Sequence, residues 1–367
     1  MSDPSPRPGI MDIAPYVGGE STLDGQERVI KLSSNENAFG PSPLAVAAYT
    51  EAAAQLHRYP DGGCTALRGA IAELHGLDAD RIVCGAGSDE IISLLCQAYA
   101  GPGDEVLYSQ HGFLMYALSA KAAGATPVFA PETNLTSDVD ALLDTVSDNT
   151  RLLFLANPNN PTGTYLPGDD LWRLRRELRD DIILVIDAAY AEYATRDDYS
   201  SGLDLVDGGG NVVMTRTFSK IYGLGGARLG WGYCPAGIAV VLNRVRGPFN
   251  VSTPAMAAGL AALGDTGFID RARAHNDTWL AWTRDEILAL GLDVPPSAGN
   301  FVLVKFPVKP GQNAAIAEAA DDFLKRRGII VRRMAAYGLD DCLRITIGRE
   351  DEMRAAVGAL KEFLEQT

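Results

Sequence analysis

A lysine that closely follows a short apolar run is the residue of this sequence best placed for covalent chemistry. Residues 211–215 predict a buried strand, and Lys220 lies just beyond them in a glycine-rich turn. Thr217, Ser219 and Arg228 flank this lysine, and hydroxyl groups with a guanidinium are typical ligands of a phosphate. A lysine amine that is desolvated among other cations loses its proton more readily and can form a Schiff base with an aldehyde. An aldehyde and a phosphate together describe pyridoxal 5′-phosphate, the cofactor that we predict.

Two polar turns predict the groups that hold the aromatic ring of such a cofactor. Asp187 and Tyr190 follow the apolar run at residues 182–186, and Asn157 follows the run at residues 152–155. Ligands of an open parallel sheet bind beyond the carboxyl ends of its strands, so these side chains are expected at one edge of the sheet. A carboxylate there keeps a pyridine nitrogen protonated, whereas an amide hydrogen-bonds the ring oxygen.

A glycine turn and an aromatic residue complete the predicted cofactor site. Gly85 and Gly87 precede Ser88 and Asp89, and the helix predicted to begin there presents free N–H groups to an anion. Phe113 follows another predicted strand and is suited to stack on the ring. Each residue taken alone also fits an ordinary role, as a loop lysine, a helix cap or a core aromatic, so only the combination is informative.

Short apolar runs alternate with helical patterns through the first two thirds of the chain. Uniformly apolar runs fit strands that are covered on both faces, as in a mostly parallel sheet with crossover helices. The predicted strands lie at residues 82–84, 105–108, 127–129, 152–155, 182–186 and 212–214, and the helices at residues 88–100, 113–124, 138–146 and 169–178. Further along, helices at 254–263, 269–290, 314–327 and 350–364 accompany strands at 301–306, 329–332 and 343–347. We therefore predict an α/β fold.

The sequence divides into an arm and two domains. Residues 1–40 are expected to form an N-terminal arm that also contributes to the small domain, because prolines and paired glycines interrupt its periodic patterns. Residues 41–255 are expected to form a large cofactor-binding domain with the mostly parallel sheet. Residues 256–367 are expected to form a smaller α+β C-terminal domain, and the long helix at 269–290 is suited to link the two.

Composition and charge exclude several classes of protein. The 367 residues suffice for a large core with a companion domain, and 47 acidic against 32 basic residues give a formal net charge of -15. That charge disfavours binding to nucleic acid or to an anionic membrane. The cysteines and histidines show no metal-ligand spacing, so we predict no metal site, and reduced thiols in a cytoplasmic protein. No signal peptide and no membrane span are expected either.

The combination of these motifs resembles the fold-type-I pyridoxal-phosphate aminotransferases of the aspartate aminotransferase superfamily. The residues that carry the resemblance are Asn157-Pro158, Asn160-Pro161-Thr162-Gly163, Asp187, Tyr190, Ser219-Lys220 and Arg228. The runs at residues 32–37, 58–62, 87–90 and 343–348 narrow the resemblance to the histidinol-phosphate aminotransferase branch.

The resemblance implies a role for each residue of the predicted cofactor site. Lys220 is expected to carry the Schiff base and to shuttle the proton between substrate and cofactor, while Asp187 pairs with the pyridinium. Asn157 and Tyr190 are expected to hold the ring oxygen, and Phe113 to stack on the ring. The implied phosphate ligands are Ser88, Asp89, Thr217, Ser219 and Arg228.

The resemblance also implies a dimer and a site for substrate anions. Tyr59 matches a residue that reaches the phosphate of the neighbouring subunit, which implies a two-fold homodimer with shared active sites. Arg344 matches an arginine that binds the carboxylate of glutamate and the phosphate of histidinol phosphate. Arg332 matches a second phosphate-contacting arginine, and Tyr16 a tyrosine of the N-terminal arm. Because side chains alternate along a strand, either Arg332 or Arg333 faces the site.

Several activities are compatible with these features. The favoured one is an aminotransferase of histidine biosynthesis that converts histidinol phosphate and 2-oxoglutarate into imidazole acetol phosphate and glutamate, because Arg332 and Tyr16 suit a phosphate-bearing substrate. An aminotransferase of phenylalanine, tyrosine or prephenate has the same cofactor residues, and a decarboxylase of amino-acid phosphates is a further alternative. A cofactor-sensing regulator needs a DNA-binding module, for which the first 30 residues are too short and the net charge is unsuitable.

Overall fold

The computed structural model describes residues 4–15, 18–26, 28–307 and 315–366, and its largest element is a seven-stranded sheet. In chain order the strands are β1 (Ile30–Lys31), β2 (Ile82–Gly85), β3 (Glu105–Ser109), β4 (Thr126–Ala130), β5 (Glu132–Thr133), β6 (Thr136–Ser137), β7 (Thr150–Ala156), β8 (Ile183–Asp187), β9 (Val212–Thr217), β10 (Gly230–Tyr233), β11 (Phe301–Lys305), β12 (Ile329–Ile330), β13 (Arg332–Met334) and β14 (Leu339–Thr346). The α-helices are α1 (Pro43–Ala52), α2 (Thr65–His75), α3 (Ser88–Tyr99), α4 (Met115–Ala123), α5 (Val139–Thr145), α6 (Gly168–Glu177), α7 (Leu203–Gly208), α8 (Ala236–Val245), α9 (Thr253–Gly264), α10 (Thr266–Ala289), α11 (Ala315–Arg326) and α12 (Glu350–Glu365). Short 3₁₀ helices span Ile10–Asp12, Ala53–Gln55, Ala79–Arg81, Gly225–Ala227 and Ala335–Tyr337.

The large sheet is mostly parallel, as the apolar runs predict. Its strand order is β2-β10-β9-β8-β7-β3-β4, and only β10 runs antiparallel to its two neighbours. In the register of the central strands, Ala156 lies opposite Asp187, which in turn lies opposite Thr215. The carboxyl ends of β7, β8 and β9 are therefore level, and the polar residues that follow them meet at one edge.

Strand β10 is the member of the large sheet that the apolar pattern does not predict. Gly230 and Gly232 interrupt its apolar character, and glycine normally weakens a strand. Gly230 is nevertheless required here, because a Cβ atom at this position would lie only 2.3 Å from the backbone nitrogen of Ser88. The absence of a side chain lets β10 approach the first turn of α3 closely.

Both faces of the large sheet are covered by apolar side chains. Along β7, Leu153 and Leu155 pack into one buried cluster, whereas Leu152 and Phe154 pack into the cluster on the opposite face. This alternation is the expected consequence of the two-residue repeat of a strand. The α/β architecture with helices on both sides is therefore confirmed.

The C-terminal part of the chain builds a second, smaller core. Strands β11, β14 and β13 form an antiparallel sheet, and the short β1 pairs in parallel with β12. Leu32, Phe306, Leu324 and Leu360 are buried together with other side chains of this region. Residues near 30 thus join the smaller unit, while residues from 43 onward join the larger one.

Helices α9 and α10 connect the two cores. Ala258 of α9 and Phe268 of α10 belong to the larger core, whereas Ile287 near the end of α10 belongs to the smaller one. The division expected after residue 255 falls inside α9, whose buried side chains pack with the larger core. We propose that the boundary between the domains lies within α10.

Local capping fixes where these connecting helices begin. The Ser252 hydroxyl accepts a hydrogen bond from the backbone nitrogen of Ala255 at 3.3 Å, at the start of α9. The Asp265 carboxylate accepts one from the backbone nitrogen of Phe268 at 3.2 Å, at the start of α10. Such caps satisfy N–H groups that have no partner inside the helix, and they place the turn between α9 and α10 at Asp265.

Candidate functional site

A cavity of about 280 Å³ lies at the carboxyl edge of the large sheet, where the smaller domain covers it. Most of the residues that the sequence singled out line this cavity. They are Ser88, Asp89, Phe113, Asp187, Tyr190, Thr217, Ser219, Lys220, Arg228, Arg332 and Arg344. Residues that are more than 250 positions apart in the chain therefore share one site.

Asp187 is the buried carboxylate of the cavity. Its Oδ2 atom accepts a hydrogen bond from the Tyr116 hydroxyl at 2.9 Å, and Oδ1 accepts one from the Thr215 hydroxyl at 3.1 Å. Burial raises the pKa of Asp187 from its ordinary value of 3.8 to about 6, although these two donors act in the opposite direction. Among the described residues no cationic side chain pairs with this carboxylate, which is suited to bind a protonated ring nitrogen.

Tyr190 places a phenol beside Asp187 and Lys220. Its hydroxyl oxygen accepts a hydrogen bond from the side-chain nitrogen of Asn35 at 2.8 Å. Burial raises the pKa of Tyr190 to about 12, so the phenol keeps its proton at neutral pH. The Lys220 amine lies 5.6 Å from the centroid of the Tyr190 ring. The site therefore presents a primary amine and a proton donor on the same side.

A group of polar side chains forms a cradle suited to a phosphate. Ser88 opens α3, and the Thr217 hydroxyl donates to the Ser219 hydroxyl at 3.0 Å. The Arg228 guanidinium reaches the same place, with Nη1 donating to the Ser219 hydroxyl at 3.4 Å and Nη2 to the Asp89 carboxylate at 3.2 Å. A helix N-terminus, two hydroxyls and a guanidinium are complementary to a phosphate dianion.

Gly87 shows that this cradle is shaped for close approach. Its φ angle is 92°, and a Cβ atom at this position would lie 2.3 Å from Nη2 of Arg228. Any larger residue would therefore displace the guanidinium and would also require a left-handed backbone. The glycine turn observed in the sequence leaves space beside a cation, which supports the prediction of an anion site.

Arg344 forms the opposite wall, which comes from the smaller domain. Its buried guanidinium donates from Nη2 to the carbonyl oxygen of Ser33 at 2.8 Å and from Nη1 to the side-chain oxygen of Asn160. Arg332 lies directly opposite Arg344 in the pairing of β13 with β14, and it also lines the cavity. Two adjacent guanidinium groups favour an anionic substrate.

The side chains of Arg332 and Arg333 point in different directions. Arg333 donates from Nη1 to the Glu318 carboxylate of α11 at 2.7 Å, away from the cavity, whereas Arg332 lines it. The strict alternation of a strand explains why neighbours on β13 face opposite sides. Of the two arginines that the sequence left open, Arg332 is the one in the site.

Asn157, which the sequence assigned to the ring oxygen, does not line the cavity. Its side-chain oxygen accepts from the backbone nitrogen of Leu166 at 2.8 Å, and its nitrogen donates to the carbonyl of the same residue at 3.1 Å. The Asn157 amide therefore stabilises the turn that follows β7. Asn160, three positions later in the same turn, lines the cavity instead.

Two further predicted residues lie elsewhere. Tyr59 is 84% exposed and stacks on Phe249, with ring centroids 4.7 Å apart, so it is not part of the cavity of its own chain. Tyr16 lies outside the described residues. Phe113 does line the cavity, where its ring meets that of Tyr116 edge to face, with centroids 5.9 Å apart.

The sequence did not identify several residues that the site uses. Tyr116 and Thr215 hold Asp187, and Thr215 could have been found from its position on the strand beside Asp187. Asn35 and Glu36 lie in the motif at residues 32–37, which supported the resemblance without being assigned to the site. Tyr337 also lines the cavity.

The part of the chain that the structure describes contains neither a candidate membrane span nor a candidate metal site. None of the helices there combines the length and the apolar character needed to cross a bilayer. The same residues contain no group of three or more His, Cys, Asp or Glu side chains arranged to hold a metal ion.

The chain is similar to proteins of known family along nearly its whole length. The sequence profile of the family described as "Aminotransferase class I and II" matches residues 27–360. The histidinol-phosphate aminotransferase of Paramagnetospirillum magneticum is 62% identical over 364 residues, which cover 99% of this chain and 99% of that protein. The protein of the same name from Rhodospirillum rubrum is 60% identical over 361 residues, with 98% of this chain and 97% of the relative covered.

A solved structure shares the fold as well. The histidinol-phosphate aminotransferase of Sinorhizobium meliloti, crystallised in complex with pyridoxal-5′-phosphate, superposes with a TM-score of 0.90 at 30% sequence identity. The superposition covers 100% of this chain and 99% of that chain. The similarity of fold therefore extends over the whole length of the chain.

Proposed function

The chain belongs to the class I and II aminotransferases, and we propose that it transfers an amino group between histidinol phosphate and 2-oxoglutarate. The family resemblance and the fold-type-I architecture predicted from the sequence are confirmed. The observation that carries the substrate proposal is that Arg332 and Arg344, opposite one another on neighbouring strands, line the cavity that contains Lys220. An amino donor with a phosphate suits such a pair of guanidinium groups.

Pyridoxal 5′-phosphate is the cofactor, and the cavity has a fitting group for each of its parts. Asp187 would hold the pyridine nitrogen, and the cradle around Ser219 and Arg228 would hold the phosphate. Phe113 would lie against the ring, while Tyr190 and Asn160 would contact the ring oxygen. Bound in this way, the cofactor supplies an electron sink that stabilises negative charge on the substrate α-carbon.

The protein's own groups then have separate tasks. The Lys220 amine is placed to bind the cofactor covalently and to move the proton that leaves the substrate α-carbon. The Asp187 carboxylate would keep the ring nitrogen protonated, and its burial would make that charge pairing strong. The Tyr190 hydroxyl, whose pKa is raised to about 12 by burial, would donate to the ring oxygen. These three groups act on any amino donor.

Recognition of the donor falls to the smaller domain. Arg344 presents a buried fork that suits either a carboxylate or a phosphate, which is what alternating glutamate and histidinol phosphate would require. Arg332 adds a second cation beside it. An amino donor without a phosphate, such as phenylalanine, has no second anionic group for the Arg332 guanidinium to bind. The second guanidinium therefore favours histidinol phosphate over an aromatic amino acid.

We also propose that the protein is a cytoplasmic homodimer with shared active sites. Tyr59 is 84% exposed, and other large apolar side chains of the same stretch of chain are exposed as well, including Leu56 at 69% and Leu44 of α1 at 57%. Large apolar side chains exposed together are typical of an interface. All five cysteines are free, which suits a reducing compartment. Light scattering should give twice the mass of the chain, and the mass of a single chain would contradict the dimer.

Single-turnover reactions of the cofactor-loaded protein test the substrate proposal. Histidinol phosphate, glutamate and phenylalanine are each added to the loaded protein in the absence of a 2-oxo acid, and the decay of the visible band is followed. We expect histidinol phosphate and glutamate to react at least about tenfold faster than phenylalanine, the equivalent of one charge-assisted hydrogen bond. A faster reaction with phenylalanine would establish an aromatic aminotransferase, and release of carbon dioxide would establish a decarboxylase.

A further inference from the structure

Asn35 connects the phenol of Tyr190 to the smaller domain. It is buried at the start of the segment that crosses from β1 to α1, and its side-chain nitrogen donates to the Tyr190 hydroxyl at 2.8 Å. Among the described residues, no other hydrogen bond of this hydroxyl is observed. The contact joins residues 155 positions apart.

Thr346 fixes the orientation of the Asn35 amide. The backbone nitrogen of Asn35 donates to the Thr346 hydroxyl oxygen at 2.9 Å, so that hydroxyl must direct its own proton elsewhere. It donates this proton to the side-chain oxygen of Asn35 at 3.1 Å. In the flipped orientation the Thr346 proton would face an N–H group. The Asn35 nitrogen therefore points at Tyr190 as a donor.

The direction of the hydrogen bond from Asn35 to Tyr190 determines where the Tyr190 hydroxyl can donate its own proton. Because the Tyr190 oxygen accepts from Asn35, the Tyr190 proton cannot point towards Asn35 and is left to donate into the cavity. We propose that Asn35 is a positioning residue, which orients the Tyr190 hydroxyl as a donor to the ring oxygen of the cofactor. This inference rests on the proposed function.

The segment that carries Asn35 is attached firmly to the strand that carries the anion-binding arginine. Arg344 donates to the carbonyl oxygen of Ser33 at 2.8 Å, and the backbone nitrogen of Thr346 donates to the carbonyl oxygen of Leu32 at 2.9 Å. The Asn300 side chain also donates to the carbonyl oxygen of Asn35 at 3.1 Å. Tyr190 is thus oriented by the smaller domain, although it belongs to the larger one.

The electrostatic surroundings allow a clean test. Among the described residues, the charged or titratable groups that act on Tyr190 are Lys220, Arg344, Asp187, Asp89 and the phenols of Tyr116 and Tyr193. Asn35 is uncharged, so Asn35→Gly alters none of these charges. Asn35 has a φ angle of 55°, which glycine adopts without strain, whereas alanine would not.

The test is a spectrophotometric pH titration of the cofactor-loaded protein. A donor at the ring oxygen stabilises the deprotonated chromophore, so loss of that donor raises the pH midpoint of the visible band. We expect an upward shift of about one pH unit in Asn35→Gly. Asn35→Asp should shift the midpoint further, because a carboxylate accepts the Tyr190 proton and turns it away from the cavity. Thr346→Val, which removes the orienting hydroxyl, provides a second variant should the Asn35 variants not fold.

Variants of Tyr190 distinguish positioning from general damage. Tyr190→Phe should raise the midpoint, and adding Asn35→Gly to it should cause no further shift, because Asn35 acts through the Tyr190 hydroxyl. Asn211→Ala is the control, since it removes amide contacts to Asp180 and Ile182 at the far end of β9 and should leave the midpoint unchanged. A shift in the double variant equal to the sum of the single shifts would overturn the inference, as would unchanged midpoints in all the Asn35 and Thr346 variants. A wild-type protein without a titrating visible band would instead overturn the proposed function.

Discussion

The two walls of the cavity are built in different ways. On the larger-domain wall, Asp187 and Lys220 each lie at or just beyond the end of a strand of the same buried sheet. On the smaller-domain wall, Arg344 and the segment at residues 33–36 meet across 311 positions of the chain. The first wall holds groups that act on the cofactor, and the second holds cations that suit substrate anions. Chemistry and recognition are therefore separate, and substitutions in the two walls should have different effects.

The strongest test of the larger-domain wall is Lys220→Ala. Turnover should fall about 10⁴-fold with every substrate, because no other lysine lines the cavity in the described residues to move the proton. Borohydride reduction of the loaded wild-type protein should attach the cofactor to Lys220, as shown by peptide mass mapping. Lys305→Ala, at an exposed position on β11, is the matched control and should keep its activity. Attachment of the cofactor to any other lysine would contradict the assignment.

On the larger-domain wall, Asp187→Asn should have the next largest effect on turnover. A neutral amide cannot keep the ring nitrogen protonated, so turnover should fall roughly 10²- to 10³-fold with both histidinol phosphate and glutamate. An effect confined to one substrate would show that the two walls are not separate in function.

Although Asp187→Asn should lower turnover, it should raise the stability of the cofactor-free protein. The pKa of Asp187 is raised to about 6 in the folded protein, so the folded state binds its proton more tightly than the unfolded state does. The stability that this group contributes is fully present below about pH 4 and is lost as the pH rises through about 6. We therefore expect cofactor-free Asp187→Asn to be more stable than cofactor-free wild type by about 1–3 kcal/mol at pH 8, with no difference near pH 4. Thermal unfolding at both pH values measures this, and a variant that is less stable at pH 8 would refute it.

Smaller effects are expected from substituting Asn160 and Asn157, two residues of one turn whose side chains have different contacts. Asn160→Ala should lower kcat/KM about tenfold, because its amide lines the cavity and accepts a hydrogen bond from the Arg344 guanidinium. Asn157→Ala should lower the free energy of unfolding by about 1–3 kcal/mol while kcat/KM of the folded protein changes little, because its amide serves the backbone of Leu166. The reverse pattern would restore Asn157 as the cofactor ligand.

The larger-domain wall could be predicted from the sequence because its signals are local. Uniformly apolar runs identify buried strands, and each key residue lies at or a few positions beyond one of them. The same reasoning does not distinguish Asn157 from Asn160, since both belong to one turn and only the folded backbone decides which amide faces inward. It also missed β10, because Gly230 and Gly232 hide the strand pattern while allowing close contact with α3.

The smaller-domain wall could be predicted only in part. Alternation along a strand implies that just one of Arg332 and Arg333 faces the site, but the direction depends on how β13 pairs with β14. The partners of buried groups are harder still to predict. Tyr116 lies 71 positions from the carboxylate it contacts, and Asn35 lies 155 positions from Tyr190. No local pattern encodes such contacts.

The separation of the two walls is tested most directly by comparing Arg332→Ala with Arg333→Ala. The two arginines are neighbours on one strand, but Arg332 lines the cavity and Arg333 pairs with Glu318. The measured quantity is kcat/KM for histidinol phosphate divided by kcat/KM for glutamate. We predict that Arg332→Ala lowers this ratio about tenfold or more, through a loss of about 10- to 100-fold for histidinol phosphate, while Arg333→Ala leaves it unchanged. An unchanged ratio in Arg332→Ala, or an equal loss in both variants, would contradict the account.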